Sequence, residues 1–225
     1  MILGLDSAAA GMKVRMDQQD VIAENLANIN TNGYHRKVSS LTSFDATLRG
    51  ATGWSEPDSG PCDIPTLTVR EDSTQGSMMQ TGVHSDLALD GPGYLVVQTK
   101  NGTQQTRGGN FHIDTSSKQL VNSSGLPLLG EKGPIKVTST DWTISEDGTV
   151  RDGGNIVDKL LIQKDPTADP KSSPRVESGF LEQSNVNSVQ EMVSMITAMR
   201  SYESCSKAIQ SIDGTLDKVI NQMQK

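Results

Sequence analysis

The two ends of the chain constrain its fold most, because apolar residues recur there at alternating intervals of three and four. Near the N-terminus, one stripe contains Leu5, Ala9, Met12, Met16, Ala23 and Leu26 and is interrupted at Gln19. Near the C-terminus, a second and unbroken stripe contains Met195, Ala198, Tyr202, Cys205, Ile209, Ile212, Leu216 and Val219. This spacing predicts long helices that pack along one narrow face. Each such helix needs a partner, so we expect the two terminal helices to pair as a coiled coil.

Between the two predicted helices, apolar and polar residues alternate in short runs that are separated by turn residues. The alternation is clearest over residues 66–70 and 142–145, and residues 94–98 form a compact strand signal. The chain contains 21 Gly residues and only 4% aromatic residues, which suits many short strands and turns better than a dense enzyme core. We therefore predict an α+β fold whose central part is an all-β domain, an antiparallel sandwich or a barrel-like structure.

These elements divide the chain into three predicted parts. Residues 1–33 and 183–225 are expected to form one discontinuous helical domain for assembly, and residues 34–65 an extended linker rich in Pro and Gly. Residues 66–182 are expected to form a β-rich outer domain. Four residues are alternative N-caps of the second helix: Ser184, Asn185, Asn187 and Ser188.

The net charge of −7 arises in the middle of the chain, because residues 1–40 and 186–225 each contain four basic and four acidic side chains. An acidic middle argues against binding to nucleic acid, which depends on cationic contacts to phosphate. No run approaches the ~20 apolar residues of a membrane-spanning helix, so no direct membrane insertion is expected. The N-terminal segment lacks the pattern of a secretory signal, and the residues alone would indicate a cytoplasmic protein.

No combination of residues indicates catalysis or metal binding. The three histidines, His35, His84 and His112, lie far apart and outside any metal-ligand spacing. The two cysteines, Cys62 and Cys205, are too few for a disulfide framework, and we expect both to be free. The sequence contains no G-x-S-x-G motif. We therefore expect no cofactor, no metal and no enzymatic activity.

Both predicted helices carry apolar residues outside their stripes, namely Ile22, Ile29, Val189, Val193 and Ile196. Packing within a single core is the ordinary interpretation of such residues. One pair of helices, however, buries only one stripe on each, and surplus apolar surface suggests further neighbours. We therefore favour a subunit of a helical assembly over a catalyst.

Four segments, taken in chain order, resemble the flagellar axial protein family of bacterial rods and hooks. The first ends the N-terminal helix and matches the signature N-L-A-N-x-N-T-x-G-[YF] through Asn25, Leu26, Ala27, Asn28, Asn30, Thr31, Gly33 and Tyr34. The second comprises residues 76–82 and 86–97, and the third residues 106–111 and 120–130. The fourth comprises residues 179–203 and includes the motif residues Ser184, Asn185, Val186 and Asn187.

This resemblance implies a structural subunit of the basal-body rod, of the distal or upper proximal type, that polymerises helically through its terminal helices. Its role would be to transmit torque from the motor to the hook. Its partners would be copies of itself, other rod and hook subunits, the flagellar type III export apparatus and, as a further candidate, the surrounding ring proteins. The chain would be exported without a cleaved signal peptide into the rod that spans the periplasm.

Two alternative functions remain open at the level of the sequence. The first is a flagellar hook or hook-junction subunit. The second, from another class, is an adhesive or carbohydrate-binding β-domain with coiled-coil ends. The second would need an exposed aromatic platform, and Trp54, Trp142 and Tyr94 are too scattered in the sequence to indicate one.

Overall fold

The structure is a computed structural model and describes residues 2–43, 65–138, 142–164 and 174–223. A helix lies at each end of this part of the chain, α1 at Ile2–Ala27 and α2 at Ser188–Met223. The strands between the helices are β1 Lys37–Ser43, β2 Pro65–Glu71, β3 Met78–Gln80, β4 Leu87–Asp90, β5 Tyr94–Thr99, β6 Gly102–Thr106, β7 Phe111–Ile113, β8 Leu120–Asn122, β9 Trp142–Ile144, β10 Thr149–Asp152, β11 Asn155–Lys159, β12 Ile162–Gln163, β13 Arg175–Ser178 and β14 Phe180–Glu182.

The chain forms two compact units, which we describe separately. The first unit comprises Met1–Ala27, Lys37–Asp72 and Val186–Lys225, and the second comprises Asn28–Arg36 and Ser73–Asn185. Strand β1 lies within the segment 34–65 that was expected to be a linker. The three domain boundaries inferred from the sequence stay a prediction.

The first unit contains both helices and a two-stranded ribbon. Strands β1 and β2 pair in antiparallel register, from Lys37 opposite Glu71 to Ser43 opposite Pro65. Helix α2 begins after Asn187, whose side-chain oxygen accepts hydrogen bonds from the backbone N–H groups of Val189 at 3.1 Å and Gln190 at 3.2 Å. Asn187 is therefore the N-cap of α2, one of the four alternatives that the sequence offered.

The prediction that the terminal helices pair as a coiled coil is wrong. The described residues contain one helix at each end and a mostly β middle, without a long heptad seam between the helices. On α1, Ala9, Met16 and Ala23 of the predicted stripe are exposed. The positions that α1 buries are instead Val14, Ile22 and Asn25.

The physical reason for this error is that two stripes compete on α1. Ala and Met are tolerated on either side of a helix, so their spacing alone does not fix which face is buried. The face that α1 buries includes the amide of Asn25, which is 1% exposed and which any hydrophobicity pattern counts as polar. Its hydrogen bonds, described below, are what permit its burial.

The second unit consists of several small antiparallel sheets. Their strand orders are β11-β10-β9, β12-β5-β6, β13-β4, β14-β3 and β7-β8. A register shift between Val150 and Arg151 interrupts the pairing of β10 with β11. Because the strands are short and the sheets small, single bridges between them, such as Val97 with Leu128, contribute to closing the unit.

The core of the second unit is aliphatic. Its largest fully buried side chain is Phe111, and the buried Trp142 packs into the same cluster. The other members of the cluster are Leu87, Leu89, Leu95, Val97, Leu120, Leu128, Ile135, Val137, Ile144, Val150, Leu160 and Val176. These residues come from strands and from the segments between strands, so the second unit is held by one continuous core.

Candidate functional site

Helix α2 exposes an apolar stripe near its N-terminal end. We call this the α2 stripe, and its members are Val189, Met192, Val193, Ile196 and Met199, each between 51% and 69% exposed. Their spacing of three and four residues places them on one face of the helix. A contiguous apolar face in water costs free energy unless another surface covers it. This face is therefore a candidate interaction surface.

The opposite face of α2 is mainly apolar and contains one buried carboxylate. Glu191 is 1% exposed and Ala198 is 2% exposed. Met195, Tyr202, Cys205 and Ile209 on the same face are half-buried. The α2 stripe is therefore a second apolar face of this helix, and the described part of the chain leaves it exposed.

The buried carboxylate belongs to a polar cluster in the first unit. Asn25 on α1 donates from Nδ2 to the carbonyl oxygen of Lys37 at 2.8 Å and accepts from the N–H of Lys37 at 2.8 Å. The same Nδ2 lies 3.4 Å from Oε2 of Glu191. The Lys37 ammonium group also pairs with Glu24. Asn25 therefore connects α1 to the start of β1 and to the first turn of α2.

The predicted stripe residues fall into three groups in the structure. Ala198 is buried, and Met12, Leu26, Met195, Tyr202, Cys205 and Ile209 are half-buried. Ala9, Met16 and Ala23 are exposed. The side chains of Leu5, Ile212, Leu216 and Val219 lie outside those that the structure describes. The assignment of these residues to an assembly interface stays a prediction.

A second polar cluster lies in the second unit and centres on Glu182, which is fully buried. Arg107 Nη1 lies 2.9 Å from Glu182 Oε2, and His35 Nε2 lies 3.4 Å from Oε1. The N–H of Gly76 donates to Oε1 at 3.0 Å. Arg107 also donates to the carbonyl oxygen of Gly91 at 2.7 Å. The pairing explains how one carboxylate and one guanidinium group can both be buried.

Opposing effects set the pKa of Glu182. Burial raises the pKa, since it disfavours the charged form. The hydrogen bonds from His35 and Gly76, together with the positive charge of Arg107, outweigh burial and hold the pKa below the ordinary value of 4.5. Glu182 is therefore ionised at neutral pH and acts as the acceptor of the cluster.

Hydrogen bonds to Glu182 and to nearby residues fix the segment 28–36, which follows α1. The N–H of Gly33 donates to the carbonyl oxygen of Glu182 at 2.7 Å. Gly33 has a φ of +70°, and a Cβ atom there would lie 2.2 Å from the carbonyl carbon of Arg107. A glycine is required for both reasons. Nearby, the side-chain oxygen of Asn185 accepts from the N–H of Arg36 at 2.6 Å.

The structure thus brings together two of the sequence motifs. In the second unit, the segment containing Asn28, Asn30, Thr31, Gly33 and Tyr34 lies beside the segment containing Ser184 and Asn185. In the first unit, Asn25, Leu26 and Ala27 form the end of α1, and Val186 and Asn187 precede the first residue of α2. The buried residues Glu182, Arg107 and Glu191 were missed from the sequence, since a lone charged residue carries no periodic signal that distinguishes burial from exposure.

Within the described residues, no group of three or more His, Cys, Asp or Glu side chains is placed to hold a metal ion. No described helix is long and apolar enough to span a bilayer. Cys205 is a free thiol. Cys62 and Trp54 lie outside the described residues.

Three family models match the chain. Residues 5–35 match the flagella basal body rod protein family. Residues 88–151 match the flagellar hook protein FlgE/F/G D1 domain, and residues 177–223 match the C-terminal part of the flagellar basal body rod FlgEFG proteins. The matches follow the same order along the chain as the segments noted in the sequence. They define a class of protein, the axial subunits of the bacterial flagellum.

Curated relatives narrow this class. The chain is 31% identical to the flagellar basal-body rod protein FlgG of Bacillus subtilis, with 98% of this chain and 99% of the relative covered. It is also 31% identical to the flagellar basal-body rod protein FlgF of Escherichia coli, with 88% and 89% covered. The chain belongs to the flagellar basal-body rod protein family and is a structural subunit of the rod. The resemblance inferred from the sequence is confirmed.

Proposed function

We propose that this rod subunit polymerises helically with copies of itself and with other rod and hook subunits, and that the polymer transmits torque from the motor to the hook. Its role is mechanical, without catalysis. The exposed apolar α2 stripe is the single observation that carries this proposal, because it is a contact face that the described residues leave uncovered.

The second surface of the proposed contact is the exposed face of α1. Ala9, Met16 and Ala23 recur there at intervals of seven residues and present small or flexible side chains. Large aliphatic residues on one helix and small residues on another allow close approach of two helices. A contact between two different faces of the same chain is heterologous, and repeated heterologous contacts generate open helical polymers.

The size of the α2 stripe explains why a polymer is favoured over a dimer. Full burial of a Val, Ile or Met side chain contributes about 1.5–3 kcal/mol, and these five side chains already lie partly covered, which leaves roughly 4–8 kcal/mol for the stripe. Association of two proteins costs about 4–15 kcal/mol in lost freedom of motion. A dimer held by one α2 stripe therefore gains little net affinity. A subunit that contacts several neighbours gains the burial energy of each contact, so a polymer is stable.

The route to the rod follows from family membership. The relatives are named as basal-body rod proteins, and we infer the same location in the basal body for this chain. Export through the flagellar type III apparatus without a cleaved signal peptide, and contacts with the ring proteins, belong to the same proposal. The distal or upper proximal position along the rod stays a prediction.

The test compares two substitutions of the same type. Ile196→Asp places a charge in the α2 stripe, where the side chain is 52% exposed, and Ile156→Asp places one on β11, where it is 67% exposed. Because both side chains are exposed, neither change should alter folding of the monomer, which circular dichroism checks. Each variant is expressed in cells that lack the wild-type subunit.

We expect Ile196→Asp to abolish swimming and to be missing from isolated basal bodies, whereas Ile156→Asp should support both. Normal incorporation of Ile196→Asp would refute the assignment of the α2 stripe to assembly. Equal loss of function in both variants would also count against it, since the effect would then not be specific to the stripe.

A further inference from the structure

The second unit contains an open cavity of about 340 Å³ that its aliphatic core and polar clusters do not explain. Four carboxamide side chains line it: Asn32 from the segment after α1, Gln104 from β6, Asn110 before β7 and Asn122 from the end of β8. We call it the carboxamide pocket. Four amides around one cavity are unusual, since amides on a surface are normally dispersed among charged residues.

The hydrogen bonds of these amides leave them available for a ligand. Within the described part of the chain, the side chains of Asn32, Gln104 and Asn110 make no hydrogen bond. The side-chain oxygen of Asn122 accepts from the N–H groups of Ser124 at 3.0 Å and Leu126 at 2.9 Å. These two bonds fix the orientation of the Asn122 amide while its Nδ2 group keeps two free donors.

The remaining lining residues exclude several classes of ligand. The half-buried Leu126 provides apolar surface above the buried Val97, and the other lining residues are Thr, Ser or Gly. None of the residues that line the pocket in the described chain is charged. A phosphate, a carboxylate or a cation would therefore find no counter-charge there. A purely apolar ligand would leave the amides without partners.

We propose that the carboxamide pocket binds one or two units of a neutral saccharide. A carboxamide offers a donor and an acceptor side by side, which matches the adjacent hydroxyl groups of a sugar ring. The exposed part of the Leu126 side chain suits the C–H face of the same ring. The volume lies at the lower end of the range of roughly 300–1,000 Å³ that ligand pockets occupy, which fits a ligand of this size. This site differs from the aromatic platform considered at the level of the sequence, because Trp142 is buried in the core.

An extended peptide is the alternative ligand, since β6 is the terminal strand of the sheet β12-β5-β6 and no strand of the described residues pairs with its outer edge. Peptides that add to a sheet are held by a row of backbone groups along that edge. The groups that converge on the carboxamide pocket are side-chain amides and hydroxyls, which favours a saccharide. The experiment includes a peptide to separate the two.

The experiment follows the side-chain NH₂ resonances of the full-length ¹⁵N-labelled chain by NMR. The probes are N,N′-diacetylchitobiose, maltose and the peptide N-acetyl-triglycine amide. The variant Gln104→Ala removes one pocket amide. Gln105→Ala is its matched control, because the neighbouring residue has the same side chain on the opposite face of the same exposed strand.

We expect at least one disaccharide to shift the pocket amides in a saturable manner, and the peptide to leave them unchanged. Gln104→Ala should weaken binding about tenfold, as expected for the loss of one or two hydrogen bonds, and Gln105→Ala should not. Three results would overturn the proposal: no saturable shift with either disaccharide, shifts with the peptide alone, or equal effects of the two Gln substitutions. The α2 stripe lies outside the pocket, so failure here would leave the assembly proposal intact.

Discussion

The buried ion pair between Arg107 and Glu182 allows a quantitative test of what holds the second unit together. Both side chains are almost completely buried, at 7% and 0% exposure, and their charged atoms lie 2.9 Å apart. Removing one partner of such a pair leaves the other as an uncompensated buried charge. The substitutions Glu182→Gln and Arg107→Met each do this while nearly preserving side-chain volume.

Each single substitution should destabilise the second unit by about 3–5 kcal/mol. This loss is a large part of the free energy of unfolding of a typical domain, which is roughly 5–15 kcal/mol. In the double variant Arg107→Met/Glu182→Gln no unpaired charge remains, so its cost should fall well below the sum of the two single costs. We expect a coupling energy of about 2–3 kcal/mol between the two positions.

The assay is urea unfolding followed by the fluorescence of Trp142, which is buried in the core of the second unit. The protein has 2 Trp residues, so all variants are made in a Trp54→Phe background to leave a single reporter. The dependence of the unfolding free energy on urea concentration should stay constant across the variants if only stability changes. Single-variant costs below about 1 kcal/mol, or costs that simply add in the double variant, would refute the role assigned to the ion pair.

Three further predictions concern individual residues. Because the pKa of Glu182 is lowered by folding, its stabilising contribution should be present above about pH 4.5 and be lost as the pH falls through the folded-state pKa. The unfolding free energy measured from pH 7 to 3 should therefore decline less steeply in Glu182→Gln than in the wild type. The same slope in both proteins would contradict the stabilising role of the ionised Glu182. Gly33→Ala should destabilise the second unit by more than Gly125→Ala, since both glycines have φ near +70°, at 70° and 74°, but only Gly33 abuts backbone atoms. Equal costs in urea unfolding would show that the close approach is unimportant. Asn187→Ala should cost about 1 kcal/mol of stability and speed amide hydrogen exchange in the first turn of α2, whereas Asn187→Ser should retain protection. Similar exchange in both variants would argue against the cap.

Local signals in the sequence account for many of the elements. The compact strand signal over 94–98 corresponds to β5 at Tyr94–Thr99, and the alternation over 142–145 corresponds to β9 at Trp142–Ile144. Asn187 was among four candidate caps, and hydrogen bonds to Val189 and Gln190 single it out. Such features depend on residues that are close in sequence, so their patterns can be recognised without a tertiary structure.

The buried polar clusters had no comparable signal. Glu182 and Arg107 are separated by 75 positions in the sequence, and Asn25 and Glu191 by 166. Their burial is favourable only because each finds its partner, and the partner is defined by the fold. On α2, by contrast, the position of Val193 and Ile196 outside the predicted stripe agrees with their exposure, and Ala198 within that stripe is buried.

The sequence by itself determined the family, the helices at both ends and the β character of the middle, because motifs, periodicity and turn residues are properties of neighbouring residues. Only the tertiary structure decided which face of α1 is buried, which charges pair in the interior and where the carboxamides converge. Those outcomes depend on the free energy of contacts between distant segments, and a polar side chain such as Asn25 is equally compatible with burial or exposure until its partners are in place.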